Sequence, residues 1–317
     1  MGRTVSKIKT ELLSPIILFV YNRPQHTLQT LEALANNELA DQSILYIYAD
    51  GAKENADENT LKQIEETRDI IKRKQWCKEV HIIEAKRNKG LADSIINGVT
   101  DIVNKYGKAI VLEDDIVTSK DFLEYMNSGL ILYEEEKQVK SITAYVEPIL
   151  TTSDTPFFLS KGSSWGWGTW KRVWSEIIWD TQVLINSFDT DDKINQLNFS
   201  NYPYFEMLKD QLKGNIDSWA IRFYASCCLQ QGLHLTPPWS LVYNAGFDGS
   251  GTHCDEKQEI LNTTKFCTKL ISYNKVNIVA DTKIPILIEE LRNRNNIQYQ
   301  KKGLFWRIVN KLKSFIK

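Results

Sequence analysis

Four short apolar runs, separated by stretches with helical spacing, constrain this chain more than any other feature. Ile16 to Val20 is followed by Asn22 and Pro24, which signal a helix start, and Leu28, Leu31 and Leu34 then recur at helical intervals. Ile44 to Ala49 is rich in β-formers and stops at the turn pair Asp50-Gly51, ahead of a helix near Leu61 to Lys74. Val80 to Ile83 reads as a third strand. Leu91, Ile95, Val99, Ile102 and Val103 mark the inner face of a further helix, and Ala109 to Leu112 is a fourth strand ending on Glu113. Strands alternating with helices predict an α/β fold, a mostly parallel central sheet built by right-handed crossovers and flanked by helices. In such sheets ligands bind beyond the carboxyl ends of the strands. Tyr21-Asn22-Arg23, Asp50 and Glu113 to Asp115 all fall at such ends, so fold and chemistry point to one edge.

The 317 residues suffice for one large domain or two smaller ones. A formal net charge of −1 leaves no basic field to draw the chain to nucleic acid. Cysteines at 77, 227, 228, 254 and 267 show no zinc spacing and read as reduced thiols of a cytoplasmic protein. The first apolar run is interrupted by Pro15 and lacks a small-residue cleavage site, so it is a poor secretory signal. No stretch approaches the ~18 apolar residues of a membrane span.

After about residue 150 the pattern changes to an aromatic-glycine stretch, Ser164-Trp165-Gly166-Trp167-Gly168-Thr169-Trp170, then helical stretches and a Gly-rich loop at 246 to 251. The expected division is 14–150 for a nucleotide-sugar half, 151–280 for an acceptor and catalytic half, and 281–317 for a helical tail. The second half reads as an elaboration on the sheet more than as an independent module.

With 40 acids in 317 residues, a run of three acids is expected about once by chance. Glu134-Glu135-Glu136 serves as the control: it falls in an expected helix and reads as a solvated face. Glu113-Asp114-Asp115 instead follows an apolar strand. Hard divalent cations take oxygen ligands, and a diphosphate brings its own, so one or two carboxylates complete the coordination of Mn²⁺ or Mg²⁺. The competing reading is a solvated turn.

FVYNRP after the first strand, YADG after the second, RNKGLADSIINGV opening a helix and VLEDDI at the acids together resemble the nucleotide-sugar domain of the GT-A glycosyltransferases. The asparagine-glycine stretch is similar to family-2 enzymes, whereas the Glu-Asp-Asp run resembles the N-acetylglucosaminyltransferase I type. The resemblance covers about residues 14 to 255. It implies a GT-A sheet, Arg23 near the nucleotide, Asp50 at the uracil or ribose, Asp114 at the ribose or sugar, and Asp115 as metal ligand. Tyr21 and Glu113 join this donor set by position. Taken alone, Asp50 also reads as a turn aspartate and Arg23 as a surface arginine in a helix's first turn.

Asn88 and Gly90 open a helix whose free amides favour anionic groups, or simply cap it. Inverting transfer needs a base for the acceptor hydroxyl. Asp217-Ser218-Trp219 resembles the element that supplies it in the N-acetylglucosaminyltransferase I type, although Asp217 equally suits a helix N-cap. The 246–253 loop reads as a lid with His253 on the donor, or as a loose surface loop. Trp167 and its neighbours read as a sugar platform or as core aromatics.

From 301 to 317 the chain carries six Lys or Arg and no acids beside an apolar face of Leu304, Ile308, Leu312 and Phe315. This resembles an interfacial helix on an anionic leaflet, where lipid-linked acceptors reside; docking on the protein's own core is the alternative. The expectation is a metal-dependent inverting glycosyltransferase, cytoplasmic or peripheral on the inner face of the membrane, taking a nucleotide-sugar (UDP-linked) donor and a glycan or lipid-linked saccharide acceptor in cell-surface polysaccharide or lipopolysaccharide assembly. The alternatives are a glycan-binding protein without catalysis and a sugar-nucleotide pyrophosphorylase, though FVYNRP lacks the Gly-rich phosphate loop that the latter wants.

Overall fold

The computed structural model describes residues 10–149, 153–199, 202–248, 266–267, 269 and 271–294. The four apolar runs form strands β1 (Ile16–Val20), β2 (Ile44–Ala49), β3 (Glu79–Glu84) and β4 (Lys108–Glu113). Between them lie helices α1 (Pro24–Ala35), α2 (Glu58–Lys72) and α3 (Leu91–Tyr106). Local chemistry sets their ends. Pro24 occupies the first turn of α1, where its missing N–H costs nothing. The Asp57 carboxylate caps α2 by accepting from the Thr60 amide at 2.7 Å. Gly107, in the left-handed conformation at φ 81°, ends α3 and turns the chain straight into β4.

A short strand β5 (Ile116–Thr118) follows the acids, then helix α4 (Phe122–Leu132) and strand β6 (Val139–Thr143). The remainder supplies β7 (Phe157–Leu159), β8 (Trp167–Trp170), helices α5 (Lys171–Trp174), α6 (Thr181–Ser187), α7 (Asp191–Leu197), α8 (Tyr204–Leu212) and α9 (Trp219–Leu229), and strands β9 (Leu233–Thr236) and β10 (Val242–Asn244). Residues 284 to 294 are helical. The Glu134 to Glu136 run is not in a helix. It forms the turn after α4, where Glu134 meets Lys108 and Glu136 meets Lys275 at the surface.

The main sheet has the strand order β3-β2-β1-β4-β8-β6-β9-β7. β3, β2, β1 and β4 run parallel, as do β6 and β9; β8 lies antiparallel between β4 and β6, and β7 antiparallel on β9. The protein is therefore α/β, with a large, mostly parallel central sheet flanked by helices. β1 and β4 are buried along almost their whole length, as strands covered on both faces must be. α1 and α2 pack together, while α3 packs on α5 and α9, the arrangement that right-handed crossovers produce when β4 is placed on the far side of β1. The order therefore reverses between β1 and β4, and the carboxyl ends of the two strands at such a reversal are where α/β sheets bind their ligands. β5, which follows β4 directly, pairs with β10 in a separate antiparallel ribbon. Among the described residues no helix is long and apolar enough to cross a membrane.

Candidate active site

Arg23 and the acid run sit on the two sides of the β1/β4 reversal. The Arg23 guanidinium donates to both carboxylates across it, reaching Asp115 at 2.9 Å and pairing with Asp114 through two of its nitrogens. Asp114 and Asp115 are buried and Arg23 nearly so, with side chains 6%, 10% and 22% exposed. The backbone that carries them is tied down in turn: Thr30 on α1 donates its hydroxyl to the Asp114 carbonyl at 2.8 Å, and Ala245 donates its amide to the Asp115 carbonyl at 2.7 Å. Pairing of β5 with β10 brings Ala245 there. It also brings Gly246 so close that a Cβ on it would stand 2.6 Å from Asp115 Oδ2 and 3.1 Å from Arg23 Nη1. Any other residue at 246 would push the carboxylate or the guanidinium aside.

One guanidinium serves three acids. Burial pushes the Glu113 carboxyl up to about 8, and the neighbouring Asp115 and Asp114 charges add to the shift. Burial also raises Asp114, against the pull of Arg23. Burial works against the Arg23 charge, but the two aspartates more than offset it and hold it above its ordinary value.

A second group lies at the end of β2. The Asp50 carboxylate accepts from the Gly51, Lys89 and Gly90 amides and from Asn88 Nδ2, all between 2.8 and 3.2 Å. Asp50 thus organises the turn that starts α3, with Gly90 at φ 81° as its last residue. Tyr21 joins this group: burial raises its hydroxyl, the Lys53 amide donates to it, and Asp50 lies near enough to be felt. Asp217 completes the group, its Oδ2 standing 3.4 Å from where a Cβ on Gly90 would be. Asp217 is 62% exposed, with Arg222 at 4.0 Å. It is not the cap of α9, because Ser218 accepts from the Ile221 amide in that role.

The structure thus brings Arg23, Glu113, Asp114 and Asp115 into one group and Tyr21, Asp50, Asn88, Gly90 and Asp217 into another, both at the carboxyl edge of the parallel strands. Trp167 joins neither group. It is buried on β8 beside Val111, stacked on Trp219 at 4.7 Å and on Trp174 at 5.8 Å. His253 and the 301–317 tail lie outside the described residues.

Sequence reasoning missed Thr30 and the part played by Asn244, which holds the Gly246 amide at 2.7 Å. Neither carries a local signal, since their roles depend on α1 packing and on the distant pairing of β5 with β10. It missed also a cavity of about 260 Å³ next to Asp217, walled by Trp167, Ser218, Trp219 and Phe223, with Lys161 and His234 at its polar side.

Among the described residues no group of three or more His, Cys, Asp or Glu is arranged to hold a metal ion. A diphosphate-borne metal needs fewer, because the phosphates supply oxygens and one or two protein carboxylates suffice. The donor set fits a hard cation on two observations: it consists of carboxylate oxygens, and its acids are short of positive charge even with Arg23 in place.

No family model and no curated protein matches the chain. Among solved structures it is similar to the mannosyltransferase PcManGT from Pyrobaculum calidifontis in complex with GDP-Man and Mn²⁺, at 7% identity over 69% of each chain, with a TM-score of 0.34. It is similar also to residues 1–349 of S. aureus TarS, at 9% identity over 74% of this chain and 62% of that one, with a TM-score of 0.37. For a second S. aureus TarS structure the figures are 11% identity, 73% of this chain, 36% of that one and a TM-score of 0.35. Likeness at this level carries no assignment, and the chemistry rests on the site itself.

Proposed function

We propose that this chain is an inverting glycosyltransferase that moves a sugar from a nucleotide-sugar donor, UDP-linked, onto an acceptor hydroxyl. The observation that carries the reading is the buried bridge from Arg23 to Asp114 and Asp115 across the strand-order reversal, where α/β sheets bind their ligands. In this reading Tyr21, Asp50, Asn88 and Gly90 line the nucleotide side, and Glu113 and Asp114 face the ribose and sugar. Asp115 is the residue that holds Mn²⁺ or Mg²⁺. Bound there, the metal supplies positive charge against the departing nucleoside diphosphate. Arg23 serves the same electrostatic end from the β1 side, provided that it shares Asp115.

Asp217 is the proposed base. An inverting displacement requires a carboxylate within reach of the acceptor oxygen to take its proton as that oxygen attacks the anomeric carbon. Asp217 is exposed, makes no cap and stands beside Gly90, which leaves its carboxylate open to an acceptor. The proposed acceptor is a glycan or lipid-linked saccharide in cell-surface polysaccharide assembly. That step of the reading leans on the basic 301–317 segment and its composition.

The test is a thermal-shift panel of nucleotide sugars with Mn²⁺, repeated on Asp115→Ala and followed by donor-turnover assays. One nucleotide sugar is expected to raise Tm only with metal present, and Asp115→Ala to abolish that rise. A rise that persists in the variant overturns the metal assignment. The second reading is a glycan-binding chain without catalysis. What favours it is that Arg23 already pairs with both Asp114 and Asp115. Tight glycan binding with no turnover of any donor in the panel is its expected outcome.

A further inference from the structure

The cavity beside Asp217 has a chemical polarity that the transfer reaction does not require. We propose that it is an acceptor subsite for a single saccharide ring that carries an oxyanion, a carboxylate or a phosphate. The inference rests on the transferase reading only in calling the ligand an acceptor; the cavity and its polarity stand without it.

Size comes first. At about 260 Å³ it falls just below the ~300–1,000 Å³ of sites for drug-sized ligands, which suits one ring rather than an oligosaccharide. Its walls are aromatic. Trp167, Trp219, Phe223 and Tyr224 line it, and aromatic rings suit the apolar C–H face of a pyranose.

The polar side decides the ligand class. His234 is buried, 1% exposed, and its Nδ1 lies 2.7 Å from Ser141 Oγ. Its Nε2 is buried with no hydrogen-bond partner among the described residues. A buried imidazole nitrogen left unpaired is destabilising, and a ligand hydroxyl would relieve that. A sugar hydroxyl both donates and accepts, so it serves either tautomer of the ring. Lys161 supplies the charge. Its ammonium lies 5.3 Å from the centre of the Tyr204 ring at the same cavity, and none of the ion pairs formed by the described residues includes it. Lys161 and Lys140 together make the surroundings of His234 positive, and Lys140 is already engaged with Gln230 at 2.6 Å and Glu176 at 3.9 Å. Among the described residues Lys161 is thus a cation without an ion-pair partner, placed to take an anion at the edge of an apolar pocket, where a charge-assisted hydrogen bond is strong. Ile216 and Ser218, the two residues that flank Asp217 in sequence, both belong to the wall, so a ring held here lies against the backbone segment that carries the proposed base.

The test uses the full chain without donor and reads ligand binding by ligand-observed NMR. The probes are methyl glucuronide, glucose 6-phosphate and the neutral methyl glucoside. At least one acidic probe is expected to bind about tenfold tighter than the neutral one, a difference of about 1.4 kcal/mol. The acid that does so tells carboxylate from phosphate. Lys161→Gln is expected to remove the preference while the urea midpoint stays unchanged. Equal binding of all three probes, or a preference that survives Lys161→Gln, overturns the proposal. Because no donor is present, that outcome leaves the Asp115→Ala thermal-shift result intact, and loss of the transferase reading leaves this binding intact.

Discussion

His234 is where a single residue ties the stability of this protein to pH. Burial pulls its imidazole down to about 3, and the Lys161 and Lys140 charges push the same way, so the ring is neutral in the folded chain. In the unfolded chain it titrates near ~6.5. Between those values the unfolded state binds a proton that the folded state refuses. The stability is therefore complete above ~6.5 and is lost as pH falls toward about 3. Each pH unit well below ~6.5 costs about 1.4 kcal/mol, so the step from pH 7 to pH 5 costs ~2 kcal/mol from this group alone. Urea unfolding at those two pH values is expected to show the wild-type chain losing ~2 kcal/mol more than His234→Asn. Equal losses in the two chains would mean that the ring is not held neutral. Nothing in the sequence marked His234 for this role, because its burial comes from β9 packing against β6 and from Gly162, which lies so close that a Cβ there would meet the ring at 2.9 Å.

At the scale of elements, the start of α9 separates a structural residue from a proposed chemical one. Ser218 caps the helix and its own amide donates to Gln211 Oε1 at 2.6 Å, so Ser218→Ala is expected to cost about 1 kcal/mol in urea unfolding. Asp217, one residue earlier and exposed, is expected to tolerate Asn within ~0.5 kcal/mol. If it is the base, the same change lowers kcat by about 10²–10⁴, read in a transfer assay with the cognate donor. A large loss of stability in Asp217→Asn, with kcat unchanged, would reverse the two assignments. The sequence already carried the elements on the parallel side. β1 and β2 fall where their apolar runs stand, α1 begins at Pro24, and β4 ends on Glu113, because strands buried on both faces leave an unbroken apolar run between turn signals. The Trp165 to Trp170 stretch was legible only as an aromatic-glycine segment, open to a sugar platform or a core role. That part of it becomes β8, antiparallel and between two other strands, depends on pairing with β4 and β6. Such non-local pairing leaves no periodicity to read. The same holds for the cap of α9, where two adjacent residues, Asp217 and Ser218, both suit the position and only the helix's true first turn chooses between them.

For the molecule as a whole, β8 joins the two halves more tightly than the break in pattern near residue 150 implies. It supplies Trp167 to Trp170 between β4 and β6, and Gly168 makes the approach possible: a Cβ there would meet the Ala109 carbonyl oxygen and Leu130 at 3.0 Å. One apolar core runs from Ile16 through Val111 to Trp167, Trp219 and Leu235. A second gathers Leu184, Leu197, Leu208 and Ile288 beneath α6, α7 and α8. α9 belongs to both, placing Trp219, Phe223 and Cys227 in the first and Ile221, Tyr224 and Ala225 in the second. A chain ending near 150 would keep β1 to β4 but strip β8 from the β4 edge. It would expose an apolar strand with its hydrogen-bonding groups open, a form prone to aggregate. Coupling of the two cores through α9 favours their unfolding together. Calorimetry of the full chain is therefore expected to give one transition, and a fragment of residues 1–150 to give none and to associate in solution. Two resolved transitions, or a monomeric fragment that melts cooperatively, would show instead that the β1-to-β4 side of the sheet folds without the rest of the chain.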